Sequence, residues 1–107
     1  MTRHVQVTGL HPEHRDRYLE LHAAVWPEIE RTIRDCNIQD YSIHVIDDTL
    51  IGVFDYVGDD FEADMRRMAA DERTREWWAL TSVCQAPPPG ASADAPWVEV
   101  PAVWTLA

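Results

Sequence analysis

The 107-residue sequence lacks several features that nucleic-acid-binding and membrane proteins require. Nineteen Asp and Glu residues outnumber nine Lys and Arg residues, the formal net charge is −10, and no basic cluster is present to neutralise phosphates. This charge argues against a nucleic-acid partner and against binding to an anionic membrane surface. Since no apolar run approaches membrane-spanning length and no signal peptide is recognisable, we expect a cytoplasmic protein.

Motifs for metal, phosphate or thiol chemistry are also lacking. The two cysteines, Cys36 and Cys84, form neither a close pair nor a CxxC motif, which favours buried thiols in a reducing compartment. The sequence contains no Gly-rich phosphate loop, no nucleophile elbow and no histidine cluster at metal-ligand spacing. We therefore expect neither a metal nor a cofactor.

The spacing of apolar residues predicts alternating strands and helices. Period-two alternation indicates strands, and apolar residues three and four apart indicate helices. The predicted order is strand 3–10, helix from Pro12 to about Cys36, hairpin strands 41–46 and 50–57, helices after Gly58 and over 72–84, linker 86–96 and strand 97–106. This β-α-β-β-α-(α)-β order predicts one α+β domain over 1–107 with a ferredoxin-like antiparallel sheet and helices on one face. Because the other face would be uncovered in a monomer, we expect a homodimer.

A proline interrupts the first helical pattern, in "LHAAVWPEIE" (21–30). Inside a helix Pro27 would remove an amide donor and crowd the carbonyl four residues earlier, at a cost of about 3 kcal/mol or more. We expect the helix to end or kink at Trp26-Pro27, with Trp26 packed against the kink and Glu28 in the first turn beyond it. Whether the kink serves packing alone or also fixes the turn that carries His22 stays open.

Five residues are candidates for chemistry or ligand contact. His22 follows Tyr18 by one helical turn on the same face, and imidazole exchanges protons near neutral pH. The pair could equally be a packed part of the core. Trp77 and Trp78 point about 100° apart on a helix, so that one ring can pack while the other lines a sugar pocket, or both can fill the core. Tyr41 begins a strand and could be an edge residue or a pocket hydroxyl.

Taken together, these stretches resemble the L-rhamnose mutarotase family over nearly the whole chain. The resemblance is carried by "YLELHAAVWPEIE", "DYSIHVID", "REWWALTSVCQ" and the terminal "VWTL". It implies a homodimeric α+β barrel that interconverts the α and β anomers of L-rhamnose or a related 6-deoxy-hexose without a cofactor or metal, often with the last strand exchanged between subunits. It also implies that His22 is the acid/base residue and that Tyr18, Tyr41, Trp77 and Trp78 contact the sugar.

Two other functions are compatible with the same residues. A small dimeric-barrel monooxygenase would also use a histidine, tryptophans and an apolar cavity. A non-catalytic sugar-binding or scaffold dimer would keep the fold without the activity. The chain departs from the family pattern at Ala23-Ala24, Glu76 and Thr105, and these departures keep the second alternative open.

Overall fold

The computed structural model describes residues 1–106, which form five strands and four α-helices. The strands are β1 (Thr2–Leu10), β2 (Ile38–Ile46), β3 (Thr49–Tyr56), β4 (Gln85–Ala86) and β5 (Val98–Glu99), and the helices are α1 (Arg15–His22), α2 (Pro27–Asp35), α3 (Phe61–Ala70) and α4 (Glu72–Ser82). Within these residues, no helix combines the length and the apolar composition that crossing a membrane requires.

The strands form an antiparallel sheet in the order β2-β3-β1-β4, and β5 also pairs with β1. Strand β3 occupies one edge of β1 over eight register positions. The other edge is shared, because β4 lies opposite Gly9 and Leu10 whereas β5 lies opposite Gln6 and Val7. This topology confirms the predicted ferredoxin-like α+β fold.

The helices cover one face of the sheet, called the helix-covered face below. Two buried clusters lie there, the first made of Cys36, Ile38, Phe54, Tyr56 and Met68, the second of Leu10, Tyr18, Leu50 and Cys84. Both cysteines are free and buried, as predicted. The second cluster holds α1 against the carboxyl end of β1.

The opposite face of the sheet carries apolar side chains that remain half-exposed. Val5 pairs with Val53, and Val7 pairs with both Ile51 and Val98, so that these five side chains share one surface. β-Branched residues that are only partly covered are typical of a sheet face that meets another surface.

The chain breaks between α1 and α2 where the proline predicts it. Helix α1 ends at His22, and Pro27 is the first residue of α2, after an extended Trp26 at the N-cap. At this position the missing amide has no helical acceptor, so Pro27 does not carry the cost it would have inside a helix. Glu28 lies in the first turn of α2, as expected. The predicted helical segment does begin at Pro12, but its first turn is a separate 3-10 turn, Pro12–His14, that precedes α1.

The predicted strand over 97–106 is wrong in extent, because only Val98–Glu99 pairs as a strand. Pro101 has no amide to donate to the sheet, which ends the ladder. Beyond it the chain is exposed, with relative exposures of 101% for Val103, 76% for Trp104 and 83% for Leu106. The last strand of the ferredoxin-like order is thus divided between β4 and β5.

A hydrogen-bond network centred on Asp64 links β3 to α3. The Tyr56 hydroxyl donates to Asp64 Oδ2 at 2.5 Å, and the Asn37 amide donates to the same oxygen at 2.9 Å. Arg67 donates to Asp64 Oδ1 at 2.9 Å. These donors, Tyr56 first, hold the pKa of the Asp64 carboxyl below its ordinary value.

We expect Tyr56→Phe to lower the free energy of unfolding at pH 7 and to make it less sensitive to acid. A depressed Asp64 pKa contributes stability above the unfolded-state pKa of about 3.9, and this contribution is lost as the pH falls through the folded-state value. Without the phenol donor the folded-state pKa rises toward the unfolded one. Urea unfolding at pH 7 and pH 3 measures the difference, with Asp59→Asn as a control that removes an exposed carboxylate. If the free energy of unfolding of Tyr56→Phe fell between pH 7 and pH 3 by as much as that of the wild type, the expectation would be contradicted.

Candidate active site

His22 lies against Tyr18 at the end of α1, as their spacing predicts. The two rings are stacked with centroids 4.2 Å apart, and His22 Nδ1 lies 2.9 Å from the Tyr18 carbonyl oxygen. Because a carbonyl oxygen can only accept, Nδ1 carries the proton of the neutral ring and Nε2 carries the lone pair. The hydrogen bond therefore fixes both the orientation and the tautomer of the histidine.

Partial burial also sets the protonation state of His22. Removal from water lowers the pKa of the imidazole below its ordinary value, and the hydrogen bond to the Tyr18 carbonyl opposes this effect in part. The neutral ring is therefore the main form at pH 7. A neutral histidine with a defined lone pair can act as a general base.

Trp77 connects His22 to the break between α1 and α2. Its buried ring lies edge-on to His22 at 5.4 Å and edge-on to Trp26 at 5.1 Å between centroids. The Arg73 guanidinium stacks on Trp26, 4.1 Å from the ring centroid. Trp26 thus packs against the break, as predicted, and links Pro27 to His22 through one intervening ring.

Tyr41 reaches the same region from β2. Its ring packs on Phe54 with centroids 5.4 Å apart. The side chain as a whole is 39% exposed, yet burial of its hydroxyl raises the pKa of Tyr41 to about 12. Burial, and to a lesser extent the nearby Tyr41 hydroxyl, also raises the pKa of Tyr18. The two phenols are therefore neutral at pH 7 and close enough to interact, which makes them a pair of hydrogen-bond donors.

Trp78 is placed differently from the other candidates. It is 41% exposed, and within residues 1–106 its ring makes none of the aromatic contacts that join Tyr18, His22 and Trp77. The structure therefore groups Tyr18, His22 and Trp77, places Tyr41 beside them, and leaves Trp78 on the exposed side of α4.

Three further residues belong to this region although the sequence interpretation assigned them no role. The buried Gln85 faces the Tyr18 hydroxyl and partly offsets the rise in its pKa. At Gly52, a Cβ would lie 3.5 Å and 3.7 Å from carbons of the Trp97 ring and 3.7 Å from Tyr41 Cε1. The sequence carried one signal of this contact, because Gly52 lies inside a predicted strand and a glycine there often marks the close approach of another group.

Two grooves elsewhere on the molecule have a different character from the candidate site. The grooves, of about 540 Å³ and 490 Å³, lie between the start of β1 and the C-terminal tail, beside residues such as Arg3 and Thr105. Neither is lined by a histidine or a tyrosine. No group of three or more His, Cys, Asp or Glu side chains in residues 1–106 has the arrangement of a metal site.

Comparison with known proteins identifies relatives by sequence and by fold. A family model for L-rhamnose mutarotase matches residues 3–106. An L-rhamnose mutarotase from Burkholderia cenocepacia (strain HI2424) is 37% identical over 82 residues, which cover 75% of this chain and 76% of the relative. The crystal structure of an L-rhamnose mutarotase from Formosa agariphila covers both chains fully with a TM-score of 0.79 at 21% identity. An antibiotic biosynthesis monooxygenase has a TM-score of 0.62 at 17% identity over 96% of this chain and 99% of its own, a likeness of fold alone.

We expect His22 to titrate below the ordinary histidine pKa of about 6.5 and to be the Nδ1–H tautomer when neutral. Because the folded-state pKa is depressed, protonation of His22 favours the unfolded chain, and stability falls as the pH drops below about 6.5. Ring ¹⁵N chemical shifts between pH 5 and pH 8 measure both properties, and His22→Ala assigns the signal. An Nε2–H tautomer at pH 8 would contradict the orientation described.

Proposed function

The chain belongs to the L-rhamnose mutarotase family and is a sugar mutarotase, and we propose that it exchanges the anomers of L-rhamnose or a related 6-deoxy-hexose through His22. The observation that carries the role of His22 is its geometry. A neutral imidazole, fixed by the Tyr18 carbonyl and covered by Trp77, presents one basic nitrogen. The family match gives no support to the monooxygenase and scaffold alternatives.

In the proposed reaction His22 Nε2 accepts the proton of the anomeric hydroxyl. The O–H electron pair forms the carbonyl at C1, the bond from C1 to the ring oxygen breaks, and its electron pair stays on the ring oxygen. That oxygen takes up a proton from the imidazolium, which gives the open aldehyde and regenerates neutral His22. Rotation about C1–C2 and the reverse steps on the other carbonyl face then close the ring as the second anomer.

The proton balance of this scheme needs one group that both accepts and donates near neutral pH. Such acid/base catalysis contributes about 10²–10⁴-fold. Since no electron leaves the sugar and every proton returns, we propose that the reaction proceeds without a cofactor or a metal. The lowered pKa of His22 keeps it in the basic form that the first step requires.

The tyrosines and tryptophans are proposed to hold the sugar. Tyr18 and Tyr41, both neutral because burial raises their pKa values, would donate hydrogen bonds to sugar oxygens. Trp77 covers His22 and would exclude water from it. Trp78 is proposed as a contact at the rim, where its exposed ring can cover the C–H face of a sugar.

We also propose that the protein is a homodimer, cytoplasmic as its two free thiols suggest. The half-exposed apolar face of the sheet and the exposed tail with Val103, Trp104 and Leu106 support an association between copies, with exchange of the tail as one way to cover it. Exposed apolar groups of this size are unusual in a protein that remains monomeric.

His22→Ala should reduce anomer exchange of L-rhamnose by about 10²–10⁴-fold with little change in fold, since it removes the proton carrier. Saturation-transfer NMR on the two anomeric signals measures the exchange. Glu20→Ala, which truncates an exposed side chain of the same helix, is the matched control and should leave the rate unchanged. Equal exchange by wild type and His22→Ala would refute the assignment of His22.

Val7→Glu should convert a wild-type dimer into a monomer, because it places a carboxylate at the centre of the apolar sheet face. Leu19→Glu introduces the same charge at an exposed apolar position on α1 and should leave the dimer intact. Sedimentation velocity measures the mass of each folded variant. A monomeric wild type, or a Val7→Glu protein that is still dimeric, would contradict the proposal.

A further inference from the structure

Trp97 extends from β5 across β1 to the middle of the sheet. Register pairs Gln6 with both Glu99 and Gly52, so these three residues lie on one face, and Trp97, two residues before Glu99, shares that face. The contact of the indole with the open position at Gly52 shows that the ring spans the width of β1 on the helix-covered face.

The indole lies beside Tyr41 and also packs on the buried cluster that contains Tyr18. Its ring and that of Tyr41 lie together over Gly52. Trp97 also packs against the buried cluster that contains Leu10, Tyr18 and Leu50. It therefore lies in the same region of the helix-covered face as the two tyrosines proposed to hold the sugar.

The backbone on both sides of Trp97 is fixed to β1. The Thr8 hydroxyl donates to the Pro96 carbonyl at 2.6 Å, and the Val100 amide donates to the Val5 carbonyl at 2.8 Å. The Glu99 carboxylate accepts hydrogen bonds from His4 at 2.9 Å and from Gln6. A side chain held in this way can discriminate between ligands because it does not move aside.

We propose that Trp97 determines specificity by contacting the C6 methyl group of the sugar, an inference that rests on the proposed deoxy-hexose substrate. Around the indole the wall is apolar, since Ile43 and Val45 pack against the same cluster. The hydroxyls of Tyr18 and Tyr41 and the imidazole of His22 supply the polar groups of the same region. A 6-deoxy sugar combines the same two kinds of group, several hydroxyls and one methyl group.

The test compares L-rhamnose with L-lyxose, which has the same ring configuration but lacks the methyl carbon. For the wild type we expect kcat/KM for L-rhamnose to exceed that for L-lyxose by about tenfold or more. One additional carbon bound in an apolar environment gives discrimination of this size. Trp97→Ala should remove most of this ratio, mainly by raising KM for L-rhamnose, and Trp97→Phe should retain part of it.

Val98→Ala is the matched control, because it truncates the neighbouring residue of β5 on the opposite face of the sheet. It should keep the wild-type ratio. If folded Trp97→Ala keeps the ratio too, or if Val98→Ala loses it equally, the proposal is overturned.

Binding without turnover separates this proposal from the proposed catalysis. In His22→Asn, the indole N–H signal of Trp97, assigned by its loss in Trp97→Phe, should shift on titration with L-rhamnose and saturate at lower concentration than with L-lyxose. This preference would support the role of Trp97 even if the wild type exchanged neither sugar. An unmoved signal, or equal affinity for the two sugars, would overturn it whatever the exchange rates.

Discussion

The double pairing of β1 is the constraint on which the rest of the structure depends. One edge carries β3 along nearly its whole length, while the other is divided between β4 and β5. Through these pairings Gly52, Gln85 and Trp97, which are far apart in sequence, reach one region of the helix-covered face. Gly9 is required for this arrangement, because a Cβ there would collide with the Ala86 carbonyl, so that any side chain would displace β4.

Much of the fold follows from local patterns in the sequence. Alternation located β1, β2 and β3 to within a few residues. Pro27 located the start of α2, because proline is tolerated in the first turn of a helix but not in its interior, although α1 already ends at His22, four residues before the predicted break. The last strand was misjudged for a physical reason. The alternation of side chains after residue 96 indicates an extended chain. A strand also needs backbone amide donors at successive ladder positions and a free sheet edge to pair with. Pro101 has no amide, so it interrupts the row of donors.

In the candidate site, too, contacts within one helix could be predicted from the sequence, whereas contacts between distant segments could not. Tyr18 and His22 are one turn apart on one helix, so their contact was predictable from spacing. The exposure of Trp78 was not predictable. Adjacent residues of a helix point in different directions, and the sequence does not show which of Trp77 and Trp78 faces the sheet. Trp97 depends on a strand pair formed after a proline-rich connection, and no local pattern specifies which strand it joins.

The segment between β4 and β5 forms two turns closed by their own hydrogen bonds, from the Ala91 amide to the Pro88 carbonyl and between Ser92 and Ala95. These hydrogen bonds lie within the segment itself. Doubling the length of such a connection costs only about 0.6 kcal/mol in closure entropy. Changes in this segment can therefore alter the residue that it delivers to the helix-covered face without disturbing α1. The architecture separates the helix that carries His22 from the segment that is free to diversify.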